Sequence, residues 1–214
     1  MYQRSLYQSM RVQVRQAMEQ LRRRRDQLPE ALREPADRVL RGEETLLRQA
    51  RRILDRITAV RIRCHGDYQL KHLVWIGREF LVVDFDGEPN RPLSHRRRKR
   101  SPVRDLTSLH CSLQEAAEAA LNEGSLRAED VPALRPWALF WQRWAAVAFL
   151  KEYRAAPGTT DLLPRDPAQL RLLFDFYRLG WNVFQLLREL ERPSPMAELA
   201  IQNVLQLLTP PTQA

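Results

Sequence analysis

Two short acidic triplets carry the chemistry that this sequence could perform. His65-Gly66-Asp67 and Asp84-Phe85-Asp86 place their leading carboxylates 17 residues apart. Between them lie two apolar runs, 73–76 and 80–83, around Gly77-Arg78-Glu79. That pattern predicts a β-hairpin with an acidic group at the end of each flanking strand. Paired carboxylates of this kind suit phosphoryl transfer. One accepts or orients a hydroxyl proton, and the other holds a divalent ion on the phosphates. Asp67 is the candidate for the first role. Asp84, with Asp86 sharing, is the candidate for the second, because hard oxygen ligands suit magnesium. Gly66 lets the backbone turn tightly beside Asp67. The competing reading is that these acids cap turns and answer nearby arginines.

Elements of other kinds must position these groups. Apolar residues at helical spacing predict a first helix over residues 4–25, with Arg22–Arg25 as its solvated basic end. Pro29 and Pro35 can each open a short helix. A stripe from Leu46 to Ile57 predicts another helix, and alternation at Val60, Ile62 and Cys64 predicts a strand. Residues 87–104 are loop-like, with prolines at 89, 92 and 102. Stripes then predict helices over 106–121, around Trp137-Trp141-Trp144, over 170–190 and over 196–208. The fold class is therefore mainly α with a small β-hairpin insertion. Asp105 fits a helix N-cap. The three tryptophans fit a core face, or alternatively a sugar-stacking face.

The 214 residues carry a net charge of +9, with 44% hydrophobic and 29% charged residues, which indicates a folded chain. Arginine supplies nearly all of the excess, which a GC-rich genome also produces. No apolar run approaches a bilayer span and no signal-peptide core is present, so no membrane is expected. Cys64 and Cys111 form no disulfide framework or metal motif, and a reducing cytoplasm is the simplest compartment. The run His95-Arg96-Arg97-Arg98-Lys99-Arg100 reads as solvated or salt-bridged, as a phosphate contact through Arg97, or as a nucleic-acid patch. Aromatic residues do not interleave with it, which weighs against nucleic acid.

HGDYQLKHL and VVDFDGEP resemble the HGDYHLGQVL and IIDFEGEP segments of the maltokinases, including those fused to trehalose synthase. These are ATP-dependent sugar kinases of the aminoglycoside-phosphotransferase, protein-kinase-like fold. RSLYQSMR, RPLSHRRRKRSPVRDL, RPWALFWQRW and LPRDPAQLRLL extend the resemblance, in order, over nearly the whole chain. It implies a single C-terminal kinase lobe over 1–214, with the catalytic and metal loops within 60–105. It also implies Asp67 as catalytic carboxylate, Asp84 as main magnesium ligand and His65 as the structural histidine of the catalytic loop. ATP and Mg2+ are the implied cofactors and maltose, or a related sugar, the substrate, phosphorylated to maltose 1-phosphate.

The sequence departs from that family in four places. His72 stands where the family has a Gln metal ligand, or Asn in related kinases, and imidazole suits magnesium poorly. Gln69-Leu70-Lys71 replaces His-Leu-Gly, so Gln69 and Lys71 become candidate phosphate or substrate contacts. Gly180-Trp181 and Phe184-Gln185 replace charged and hydroxyl-bearing pairs, which predicts a drifted sugar pocket. Finally, no two of the seven glycines form a phosphate-covering loop, so the N-terminal ATP-binding lobe is expected to be absent. The alternative expectation is a non-catalytic lobe that docks on trehalose synthase, on a separately encoded N-terminal lobe, or on another partner.

Overall fold

The computed structural model describes residues 2–55, 57, 59–87, 93–122, 124, 126–159, 161–191 and 196–209. The chain forms two compact units, Met1–Ile57 with Asp175–Ala214, and Thr58–Phe174. Among the described residues no helix is long and apolar enough to cross a membrane.

The first unit is helical. α1 (Tyr2–Arg24) buries Leu6, Met10, Val14, Ala17, Met18 and Leu21, the period that a one-faced helix requires. α2 (Glu30–Arg41) and α3 (Glu43–Arg51) bury Leu32, Ala36, Val39, Leu46 and Ala50. Pro29 precedes α2, but Pro35 lies inside it and opens no new helix. At the sixth position of the helix it removes one interior backbone hydrogen bond. The basic end of α1 is paired as well as solvated: Arg22 meets Glu43, and Arg25 forks onto Asp37 at 2.7 and 3.0 Å.

α7 (Pro167–Glu191) runs from the second unit into the first, where Leu179, Val183, Leu186 and Leu190 are buried. α8 (Ala197–Leu208) adds Ile201, Val204 and Leu205, and Gln49 ties α3 to it through the Leu207 carbonyl at 2.7 Å. Gly42 joins α2 to α3 where α8 passes. A Cβ built there lands within the packing radius of the Leu208 side chain, whose Cγ would lie only 3.0 Å away. Gly42→Ala should therefore lower stability by about 1–3 kcal/mol despite its better helix propensity. Chemical denaturation would check this, and an unchanged midpoint would show that Leu208 moves aside freely.

The second unit holds the hairpin. β1 (Leu73–Trp75) pairs antiparallel with β2 (Phe80–Val82), with Val74 opposite Leu81, in the predicted position. The expected strand at 60–64 shrinks to one bridge between Ile62 and Arg100, because the chain beyond Arg100 turns at once into a helix. The loop-like stretch contains a four-residue helix, α4 (Leu93–Arg96), before α5 (Val103–Leu121). α5 is buried at Leu106, Leu109, Leu113 and Ala117 and packs on α6 (Val131–Ala155).

The tryptophan stripe of α6 is not core. Trp137, Trp141 and Trp144 are 70%, 48% and 59% exposed, and Phe140 and Val147 lie open beside them. The face turned inward is the one with Ala138, Gln142 and Ala145, on which Gln142 is buried. α6 is apolar on both faces, so periodicity alone could not choose between them. Small side chains admit the closer approach of α5.

Candidate active site

The two acidic triplets face each other in the second unit. Gly66 has φ +87°, and a Cβ there would lie 3.5 Å from the Cα of Gly87, itself at φ +75°. Glycine at both positions lets the two loops approach backbone to backbone. Asp84 also takes a left-handed conformation, φ +65°, which Asp tolerates better than most residues. That turn directs the chain out of β2 and sets the Asp84 carboxyl beside His72.

His65 holds the first triplet to the second. Its Nε2–H donates to the Val83 carbonyl at 2.8 Å, and its Nδ1 accepts the Asp67 amide at 3.3 Å. A carbonyl only accepts, so the ring is the neutral Nε2–H tautomer. The ring also lies 4.9 Å from that of Phe85 and stacks at 19° on that of His72.

His72 bridges the two acidic loops, through the backbone of Asp67 and the carboxyl of Asp84. Its Nδ1 lies 2.7 Å from the Asp67 carbonyl, and its Nε2 lies 3.1 Å from Asp84 Oδ2. The Val83 amide donates to the His72 carbonyl at 3.0 Å, fixing the same register from the backbone. Asp67 itself is buried, at 5% exposure. Gln69 donates to its Oδ1, and Lys71 Nζ stands 3.5 Å from its Oδ2. Gln69 and Lys71 thus surround the carboxylate, and Lys71 remains half in water.

Asp86 is the most exposed of the three acids. Its carboxyl shares a hydrogen bond with Asp84, which, with the nearby Arg96 charge, holds it below its ordinary 3.8. Arg96 Nη1 reaches its carbonyl at 3.1 Å and its Oδ2 at 3.4 Å. The arginine that meets this turn is therefore Arg96. Arg97 is exposed one residue further on.

Asp105 is a structural part of the site that the sequence reading misplaced. It lies inside the first turn of α5 and caps nothing, for the residue before that helix is Pro102. Its two oxygens accept the backbone amides of His65 at 2.7 Å and Gly66 at 3.0 Å. Neighbouring Arg104 donates to the Gly66 carbonyl at 2.8 Å. Leu70 adds a third anchor, its amide donating to Ser112 Oγ at 3.1 Å. α5 thus grips both ends of the loop that carries Asp67. Nothing local in the sequence around Asp105 marks this, since its partners are 39 and 40 residues away.

Both cysteines are free thiols. Cys64 faces the carbonyls of Arg100 and Ser101 at 3.4 and 3.5 Å, and burial pushes its thiol up to about 12. Only the thiolate is nucleophilic. Cys64 and the buried Cys111 should accordingly resist Ellman's reagent at pH 8 until the chain is unfolded. A fast native reaction of one thiol would show that the Cys64 loop opens freely.

The arrangement offers one shielded carboxylate with cationic and amide neighbours, and a second pair of carboxylates reached through an imidazole. Asp84, Asp86 and His72 are the residues that could hold a divalent ion. Among the described residues no three His, Cys, Asp or Glu side chains converge closely enough to cage one. Protein carboxylates completed by phosphate and water are the usual arrangement for magnesium, so this sparse donor set fits an ion shared with a nucleotide.

No family model matches the sequence. Among solved structures, the chain is similar to glucosamine kinase in complex with glucosamine, ADP and inorganic phosphate, with TM-score 0.68 and 20% identity. That match covers 95% of this chain and 47% of the other. Two further crystal forms of glucosamine kinase match with TM-scores of 0.68 and 0.63, at 20% and 17% identity, over 46% of their length. The chain spans about half the length of these structures, and over that half it shares their fold.

Proposed function

We propose that this chain is the catalytic half of an ATP-dependent sugar kinase. The observation that supports the reading best is the single imidazole, His72, that ties the loop of Asp67 to the turn of Asp84. The two acids lie on either side of the hairpin, Asp67 before β1 and Asp84 after β2, and His72 joins their loops. They suit a reaction in which a hydroxyl and a charged phosphate must meet.

Asp67 accepts the proton of the sugar hydroxyl as its oxygen bonds to the γ-phosphorus and ADP departs. Lys71, half in water and beside Asp67, is placed to balance charge on the transferring group. Asp84 and Asp86 would hold a divalent ion, which would supply charge neutralisation on the phosphates. His65, Asp105 and Arg104 touch no substrate and keep the Asp67 loop in place. The phosphate-covering part of the enzyme belongs to the half of the fold that these 214 residues do not span.

The resemblance to maltokinases favours the anomeric hydroxyl of maltose as acceptor, giving maltose 1-phosphate. The structural likeness adds glucosamine as the competing acceptor. Phosphorylation of maltose, glucosamine and glucose with ATP, in the presence of the nucleotide-binding half, tests the reading. Turnover that Asp67→Asn removes supports it, and equal activity in both proteins rejects Asp67.

A second reading has its own observation. The open stripe of Trp137, Phe140, Trp141, Trp144 and Val147 is a large apolar face for a soluble surface. It favours a lobe that docks on a partner, with trehalose synthase or a separately encoded nucleotide-binding lobe as the candidates. Stable complex formation without sugar turnover would select this reading over the first.

A further inference from the structure

We infer that α6 is a homodimer interface, along which two copies of this chain pack their helices antiparallel through the tryptophan stripe. The inference goes beyond the kinase reading and does not rest on it. A second copy on this face takes from the docking reading the surface that favours it.

The first argument is spacing. Leu134, Trp137, Trp141, Trp144, Ala148 and Lys151 follow one another at alternating steps of three and four residues, and all are exposed. That alternation is the repeat of helices that pack lengthwise on one another. α5 does not use this seam, for it covers the face on which Gln142 is buried. The occupant that the seam fits is therefore another helix.

The second argument is area. Trp137, Phe140, Trp141, Trp144 and Val147 leave roughly 600–700 Å² in water, given the ~150–250 Å² that an aromatic side chain can bury. That is more than the ~300–600 Å² of the largest patch on a typical monomer. It approaches the ~800 Å² per partner of a standard interface. One helix face from each copy supplies nearly all that a stable dimer needs.

The third argument is charge. Asp130 lies four residues ahead of Leu134, at the start of the seam, and Lys151 and Arg154 lie at its end. A face that is acidic at one end and basic at the other complements itself when reversed. With Trp141 opposite Trp144 of the second copy, Trp137 meets Ala148, a large side chain against a small one. The same register brings Asp130 beside Arg154 at both ends of the seam. Each contact occurs twice about a two-fold axis, and the pair closes at two. A parallel pair would set Asp130 against Asp130 and Lys151 against Lys151.

A nucleotide-binding half has a nearer seat. The hairpin leaves Trp75 and Phe80 open, at 56% and 62%, and β2 ends two residues before Asp84. A domain that covers phosphates at Asp84 meets the hairpin. The tryptophan stripe starts twelve residues before Phe149, whose ring approaches Tyr68 beside Asp67. That is about 18 Å along the helix axis.

The test is sedimentation velocity of the full chain over about 0.1–100 μM, reaching the weak end for an interface of this size. Iodide quenching of tryptophan fluorescence is read on the same samples. Wild type should reach the mass of two chains, and quenching should fall as it does. Trp141→Ala should weaken association at least about thirtyfold, as a central anchor does. Asp130→Arg and Arg154→Asp should each weaken it about threefold to tenfold, and the double exchange should restore it. A single-chain mass throughout would overturn the inference. So would growth beyond two chains, a dimer indifferent to Trp141→Ala, or a double exchange no tighter than either single one. The wild-type mass and quenching need no variant, so a misfolded one leaves the result decisive.

Discussion

On the proposed kinase reading, Asp67→Asn should lower phosphoryl transfer to the sugar by about 10²–10⁴-fold, the usual worth of a positioned proton acceptor. The loss falls on kcat, because the Asn side chain has the same shape and leaves the surfaces that bind sugar and nucleotide in place. It does not fall on stability. Asn keeps an oxygen for the Gln69 amide and gives up a charge opposite Lys71 at 3.5 Å and near His72 Nδ1 at 3.8 Å. Lys71 is more than half exposed, so that ion pair contributes little. The discriminating readout is therefore a pair of numbers, kcat and the unfolding midpoint, measured on the same preparation. A large fall in kcat with an unmoved midpoint assigns Asp67 to the chemistry. A fall in both would mark it as a residue that only holds its loop, and no fall in either would remove it from the site.

The contrast between Asp67 and Asp105 shows how much of this molecule can be seen in its sequence. The hairpin was legible because its signals are local. Two apolar runs flank a glycine turn, and the paired residues are nine or fewer positions apart. The long helices were legible for the same reason, with α1 and α8 showing one apolar face each. Asp67 and Asp84 were visible as candidates through their triplets. What the sequence could not show is which distant group completes each local one. His72 sits five residues from Asp67 and reads as a poor ligand, yet its second nitrogen is spent on a backbone carbonyl that no pattern reveals. Asp105 looks like a cap because Ser101 and Pro102 precede it, and its true partners are amides across the unit. The tryptophans of α6 failed differently. Both helix faces are apolar, and the choice between them depended on the small side chains that let α5 approach. Size of the buried face, and not its hydrophobicity, decided the packing.

Asp105→Ala should be the most damaging polar substitution in the second unit. It leaves the amides of His65 and Gly66 without their acceptors, in a loop whose Gly66 carbonyl is already committed to Arg104. Partly buried donors left unpaired cost about 1–3 kcal/mol each, less whatever water can reach them, so a net loss of about 2–3 kcal/mol is expected. For a chain of this size that is a fall of roughly 5–10 °C in Tm. Hydrogen exchange should locate the effect, with His65 and Gly66 losing protection while the amides of α1 keep theirs. Asn is a poor replacement, because its NH2 group would face one of the two amides that the carboxylate accepts. The loss also varies with pH in a way that identifies its source. Burial pushes the Asp105 carboxyl above its ordinary 3.8, outweighing the Gly66 and His65 amides and Arg104, which act in the other direction. A carboxyl raised in the folded state binds its proton more tightly there than when unfolded. The part of its contribution that comes from this shift is therefore full below 3.8 and is lost as pH rises through the folded value, while the two amides keep their acceptors. The stability gap between wild type and Asp105→Ala should be widest in acid and narrow towards neutral pH. A gap that widens with pH instead would mean that the two amides hold the carboxylate ionised, and that desolvation is the smaller force at the base of this loop.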